Sequence, residues 1–333
     1  MPARTGVSVT TVSMVQATEQ LRGHRRVRDW LGDRILFGLT FAAALAAIAT
    51  MIAIAWKIFQ GARLSFEKFG ISFLWSTVWD PVKGVFGAGS LVYGTAVTCA
   101  IALVVGAPLA IAIGLYLSEL APRGVRGVIG TLVEMLAAIP SVVLGLWGIL
   151  VMAPFLGQHV EPWLQRHLGF IPIFGGSTQA GGSGVLTAGL ILAIMVVPII
   201  ASICRELFLS VPRELEEGAL ALGSTRWEMV RGVVLSSSRP GIAAAIILGL
   251  GRALGEAIAV AQVIGSGIGI HASLFQTGNT LAAQIADQFQ GAVSKIQISS
   301  LFYLAAILLV IGLLTNLLAQ WIVRRFEVQG SGL

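Results

Sequence analysis

Six stretches of this chain run for about 20 residues or more with almost no charge, and a bilayer core needs ~20 apolar residues for each helical crossing. They cover 35–56, 92–117, 128–154, 185–204, 241–265 and 296–323. A transmembrane β-strand would be about ten residues long with alternating polarity, and these continuous Leu, Ile, Val and Ala runs do not alternate. The expectation is an all-α integral membrane protein with six transmembrane helices. Hydrophobic residues make up 56% of the 333 and charged residues 11%, against roughly 25% charged in soluble domains. Length therefore counts helices rather than water-soluble domains.

The net charge of +6 does not mark a nucleic-acid binder, because the basic residues form no stripe with interleaved aromatics. They sit between the apolar runs. With the N-terminus inside, 15 of the 22 Lys and Arg fall on the inner side and six on the outer, leaving Arg252 within the fifth run. The positive-inside rule accepts that orientation, with both termini cytoplasmic, and the expected location is a plasma (inner) membrane, crossed several times. The expected organisation is a basic segment 1–34, a membrane domain 35–327 with a cytoplasmic loop 205–240, and a tail 328–333. The first run is too long for a secretory h-region and is expected to stay attached. Arg22, Arg25, Arg26 and Arg28 before it suit a surface-lying helix on anionic headgroups.

Outside, 57–88 and 155–184 read as long loops whose Trp75, Trp79 and Trp163 suit the headgroup layer. Pro162, Pro172 and the Gly-rich run 175–184 favour irregular backbone in the second. Cys99 and Cys204 lie inside apolar runs without a neighbouring ligand and read as small buried hydrophobes.

The most charged part of the chain is 205–239, with five Arg and five Glu. Glu214 to Leu222 holds good helix formers, Pro212 precedes it, and Gly223 stands where a helix C-terminus accepts positive φ. The prediction is a short helix, a Gly turn and a second helix. A solvated helical hairpin is the plain alternative.

Two charges interrupt the fifth run. Arg252 is predicted about 16 Å along its helix at 1.5 Å per residue, near the midplane, and Glu256 shares its face one turn on. Either alone costs about 2.5–3.5 kcal/mol in lipid, so both must face protein or water. Gly251 and Gly255 beside them permit close approach of a helix or ligand. The pair either fastens helices, or the guanidinium fork recognises an oxyanion while the carboxylate competes and prevents trapping. Glu134 is a third acid in apolar sequence, ahead of Pro140. A helix broken at Pro140 is tolerated where it lines a cavity, which would put Ser141, and Glu134 with it, on the substrate pathway; a simple kink is the alternative.

No enzyme signature is present. None of the four lysines follows a glycine, as a P-loop requires, and the four histidines form no H-E-x-x-H helix. No catalytic residue and no metal site is expected.

EGALALGSTRWEMVRGVVL, Glu217 to Leu235, resembles the E-A-A, three residues, Gly loop of ABC importer permeases, with Gly218 in place of the middle Ala and Ser236 in place of a Pro. GRALGEAIAV (251–260), LSELAPRGVRG (117–127) and AAIPSVVLGLWG (137–148) resemble phosphate ABC transporter permeases of the PstC type, over roughly 79–327. The resemblance implies a MetI-like type I permease in a bacterial or archaeal membrane. It also implies three kinds of partner: a related PstA-type permease, a dimer of PstB-type ATPases and an external PstS-type phosphate-binding protein. ATP and Mg2+ would belong to the ATPase, with no cofactor on this chain. Glu217, Gly218, Ala219, Leu220, Leu222, Gly223 and Arg226 would engage the ATPase groove, and Arg252 and Glu256 would serve phosphate passage. A permease for sulfate or molybdate, an ion-coupled secondary transporter using Arg252 and Glu256 as a proton-coupled pair, and a non-conducting membrane sensor stay open at this point.

Overall fold

The computed structural model describes residues 9–176 and 181–330, with side chains described from Asp33 to Trp321 except Arg123 and 177–180. The four N-terminal arginines, the tail 328–333 and part of the Gly-rich run lie outside those side chains. The chain divides into two compact units, Met1–Lys57 and Ile58–Leu333. In the first, residues 33–57 are helical, and the Thr40 and Thr50 hydroxyls donate to the Leu36, Phe37 and Ala46 carbonyls of their own helix. This back-bonding satisfies a hydroxyl within apolar sequence.

The helices are α1 (Val9–Phe69), α2 (Gly89–Leu120), α3 (Arg123–Ala138), α4 (Ser141–Leu168), α5 (Val185–Leu209) and α6 (Arg213–Ala221). They continue as α7 (Arg226–Ser237), α8 (Arg239–Gly255), α9 (Ile258–Val263), α10 (Leu281–Gln288) and α11 (Lys295–Gly330). Among the described residues five helices are long and apolar enough to cross a membrane, and a sixth crossing is obtained if α7 and α8, bent by 68°, count as one.

Three expected boundaries are corrected. The run 128–154 is not one helix, because Ile139 and Pro140 are extended at ψ 126° and 137° and the crossing begins at Ser141. Proline lacks the N–H and pushes the preceding residue out of the helical region. The run 241–265 ends as a helix at Gly255, where Glu256 turns extended at ψ 116°. The outer segments are more helical than expected: 57–69 continues α1 and 155–168 continues α4, with Pro162 directly after a widened π-helical turn at Leu156–Val160.

In the second unit, α5 is the most enclosed span, with 72% of its apolar window buried. It packs along α2, and small residues set the spacing. A Cβ on Gly189 would stand 2.6 Å from Ile101, and one on Gly106 would stand 2.9 Å from Val196. Both positions therefore need glycine for the helices to touch. Cys99 and Cys204 are free and buried in this core, as small apolar side chains would be.

A second core gathers Phe73, Phe86, Leu91, Leu281 and Tyr303. Trp79 belongs to it, 7% exposed and edge-on to Phe86 at 4.9 Å, so it is a core residue and not the headgroup anchor expected; Trp75 and Trp163 remain exposed. A hydroxyl seam ties the end of α1 to α11. Ser299 accepts from the Ser65 N–H (2.9 Å) and donates to the Gly61 carbonyl (2.7 Å), while the Ser65 and Ser300 hydroxyls meet at 2.8 Å.

Candidate functional site

α8 delivers Arg252 in its last turn, deeper along the helix than the sequence suggested because α8 starts at Arg239. Glu256, expected one turn further on the same helix, instead stands in the break between α8 and α9. Its Oε1 accepts the Ala259 N–H at 3.3 Å, satisfying an orphan donor of the first turn of α9. Its Oε2 lies 3.9 Å from Arg252 Nη2, an ion-pair distance too long for a hydrogen bond. The carboxylate is buried at 8% exposure and the guanidinium half-exposed at 47%. Arg252 therefore keeps donors free while its charge stays partly balanced.

Gly251 and Gly255 have open space where a side chain would begin. They line a crevice of about 170 Å³ between α8 and α11, bounded by Gly312 and Thr315 on the far wall. Among the described residues no atom beyond the neighbouring backbone comes within 4 Å of where a Cβ on either glycine would stand.

Beyond the break, α9 lies on the first turns of α4. A Cβ on Gly145 would stand 2.8 Å from Ala259 Cα, and one on Gly148 would stand 2.9 Å from Val263. Two interrupted helices are thereby brought together: one restarts at Pro140 and Ser141, the other at Glu256. Ser141 is half-buried in the first turn of α4. Glu134 has a different partner. It is exposed and pairs with Arg205 Nη1 at 3.6 Å, which also lies 3.9 Å from Glu206.

The segment after α5 forms the helix, turn and helix expected of it. Gly223 sits at φ +87°, its N–H bonds the Leu220 carbonyl at 3.0 Å, and the Ser224 hydroxyl donates to the Ala219 carbonyl at 2.8 Å. Ala219 leans on the chain's own core, whereas Glu217, Gly218 and Arg226 are exposed and Leu222 stands out at 92% exposure. Leu220 is exposed at 41% and lines a cavity of about 430 Å³ with Glu119, Glu216, Arg226 and Trp227. Burial first, and the Glu119 carboxylate second, hold the Glu216 carboxyl above the usual range.

Sequence reasoning missed one device here. Thr225 and Glu228 form a reciprocal capping box, with Glu228 Oε2 accepting the Thr225 N–H at 2.8 Å and Thr225 Oγ1 accepting the Glu228 N–H at 3.3 Å. The T-x-x-E spacing was its legible signal. The Glu134–Arg205 pair joins distant segments and had no such signal.

Residues 106–328 match the family described as binding-protein-dependent transport system inner membrane component. The phosphate transport system permease protein PstC of Xylella fastidiosa is 38% identical over 319 residues, covering 95% of this chain and 98% of that protein. PstC of Mesorhizobium japonicum is 42% identical over 303 residues, covering 90% and 92%. Among solved structures, a bacterial alginate ABC transporter in complex with an alginate-pentasaccharide-bound periplasmic protein contains a chain with TM-score 0.57 and 19% identity, covering 86% of this chain and 95% of that one.

Proposed function

The chain belongs to the binding-protein-dependent transport system inner membrane component family, as a permease subunit of a phosphate ABC transport system, and on that premise we propose that Arg252 is the point at which phosphate crosses. The family is the non-catalytic membrane component of such importers, and ATP is bound by a partner ATPase. In this reading the chain forms half of the pathway beside a related PstA-type permease. An external PstS-type protein delivers phosphate, and a PstB-type ATPase pair drives the cycle.

The observation that carries the proposal is the half-exposed guanidinium held 3.9 Å from a buried carboxylate at a helix break. A bidentate pair would occupy one edge of the guanidinium fork and neutralise its charge toward an oxyanion. A lone guanidinium would hold phosphate too well for release. The longer contact leaves Arg252 free to bind a tetrahedral anion bidentately, while Glu256 limits how tightly it does so. Ser141, at the head of the helix that α9 packs on, belongs to the wall of the same pathway. Glu134, already paired with Arg205, serves to hold α3 against α5.

On the cytoplasmic side, Leu222 with Glu217, Gly218, Leu220 and Arg226 forms the face offered to the ATPase. An apolar residue standing almost wholly in solvent beside a charged rim fits a helix-in-groove contact. Ala219 supports that face from behind. The bend between α7 and α8 then passes motion of this face to the helix carrying Arg252.

Labelled-phosphate uptake by vesicles containing the reconstituted importer tests the central claim. Arg252→Lys replaces a planar fork with a point charge and is expected to cut uptake by an order of magnitude or more. Uptake at the unsubstituted level in that variant would reject the role.

A further inference from the structure

The junction of α9 with α4 encloses a polar atom without a partner. α9 turns Ala259, Val260 and Val263 inward, each at 1% exposure or less. Ala259 and Val263 lie on Gly145 and Gly148 of α4, with no room for a Cβ on either glycine. Gln262 enters the same junction. A Cβ on Gly145 would stand 2.2 Å from Gln262 Oε1, so the amide oxygen rests against the glycine's Cα, where only carbon-bound hydrogens meet it. This buried oxygen has no hydrogen-bond partner among the described residues. Buried amide oxygens are rarely left so.

The junction is mechanically tied to the Arg252–Glu256 break. Glu256 accepts the Ala259 N–H at 3.3 Å and stands 3.9 Å from Arg252. α9 is six residues long, short enough to move as one piece. A shift of α9 off α4 therefore carries the Glu256 carboxylate with it and changes its distance from the guanidinium. Two opposed effects act on that shift. Burial of Ala259 and Val263 favours the closed junction, while an amide oxygen held away from water without a donor opposes it. Gln262 also borders the open space beside α10, so a slight parting of the helices hydrates the oxygen.

We propose that Gln262 is a positioning residue for transport: its unpaired oxygen holds the α4–α9 junction close to opening, and the junction parts as phosphate passes Arg252, moving Glu256 relative to the guanidinium. The open and closed arrangements differ by the hydrogen bond the oxygen gains, which is the differential interaction a conformational change requires. Packed interfaces switch between discrete arrangements, so a bias at one atom can set the population of a whole helix. Space-filling alone would be served as well by methionine, an unbranched side chain with no amide to strand. The inference rests on Arg252 and Glu256 lying on the phosphate route.

The test uses the complete importer in liposomes, with its ATPase and phosphate-loaded binding protein. Gln262→Met keeps the side chain's length and removes the stranded oxygen. It is expected to raise the unfolding temperature and to lower the maximal rate of labelled-phosphate uptake several-fold. A residue that only supports the fold would move both in the same direction. Adding Val263→Ala, which loosens the junction by removing buried methyl groups, is expected to restore most of the rate. Parental uptake in Gln262→Met overturns the proposal, as does a slower variant that is less stable than the parent or that Val263→Ala slows further. If Gln262→Met does not assemble, Ala259→Cys decides, because that position is fully buried in the junction. A membrane-impermeant thiol reagent on the outer side should label it several-fold faster during ATP-driven uptake than at rest, with the parent, whose Cys99 and Cys204 are buried, as control. Equal labelling rates show a junction that does not part and overturn the proposal. Parental uptake by Arg252→Lys would instead reject the crossing point, and the labelling of Ala259→Cys reads the junction independently of that result.

Discussion

Glu256 divides its carboxylate between two partners, the Ala259 N–H at 3.3 Å and the Arg252 guanidinium at 3.9 Å. One contact is structural and keeps the break between α8 and α9 in shape. The other is electrostatic and adjusts how much positive charge Arg252 presents. Substitutions that separate the two are the most informative.

Glu256→Gln keeps an acceptor for Ala259 and removes the negative charge. With Arg252 no longer balanced, phosphate is expected to bind more tightly and leave more slowly. Saturation curves of labelled-phosphate uptake should show a lower half-saturating concentration and a maximal rate reduced several-fold. Identical curves for variant and parent would show that the carboxylate only shapes the backbone.

Gly223→Val places a β-branched side chain at φ +87°, which costs on the order of 1–3 kcal/mol. The turn should refold locally, so that ATP hydrolysis continues without driving uptake. Gly223→Asn, which tolerates the left-handed region, should retain most coupling. The ratio of phosphate imported to ATP hydrolysed is the measurement, and a parental ratio in the valine variant counts against a coupling role for this turn.

Thr225→Ala removes the side-chain half of the capping box with Glu228 and should cost about 1 kcal/mol. Thr225→Ser should recover nearly all of it. Thermal unfolding of the detergent-solubilised subunit reads the loss, and ATPase stimulation reads whether α7 still stands correctly.

Glu216 gives a pH dependence whose sign is fixed. Its folded carboxyl titrates above the unfolded one, through burial first and Glu119 second, with Arg213 opposing. The folded state therefore holds more proton than the unfolded state, and the stability contributed by this group falls as pH rises through the folded value. Glu216→Gln should raise the unfolding temperature near neutral pH and have little effect in acid. For a group this exposed the gain should stay under about 1 kcal/mol. A variant less stable at neutral pH than the parent contradicts the assignment.

Much of the fold was legible because lipid leaves few choices: uncharged runs of sufficient length must be helices, and Gly223 was readable as a turn because few other residues rest at its φ. The helix breaks were half legible. Pro140 announced one through its missing donor, but nothing local announced that Glu256 would leave the helix, since GRALGEAIAV reads as continuous by periodicity. Gly145, distant in sequence, is what leaves room for α9 to settle on α4 after the break. Trp79 was misplaced for a related reason: an indole suits a membrane surface or an aromatic core, and Phe86 decides which. Glu134 pairs with Arg205 across 71 positions (205 − 134), and no one-dimensional pattern specifies such a contact.

The serine seam between the end of α1 and α11 has a mechanical meaning. Ser65 and Ser300 are fully buried, and Ser300 already donates to the Ile296 carbonyl at 2.8 Å, so Ser65 supplies the proton of their shared bond. Sliding either helix would strand these hydroxyls where no solvent can replace the lost partner. The two segments are therefore welded into one strut, and the rocking that exposes a transporter to alternate sides must hinge elsewhere.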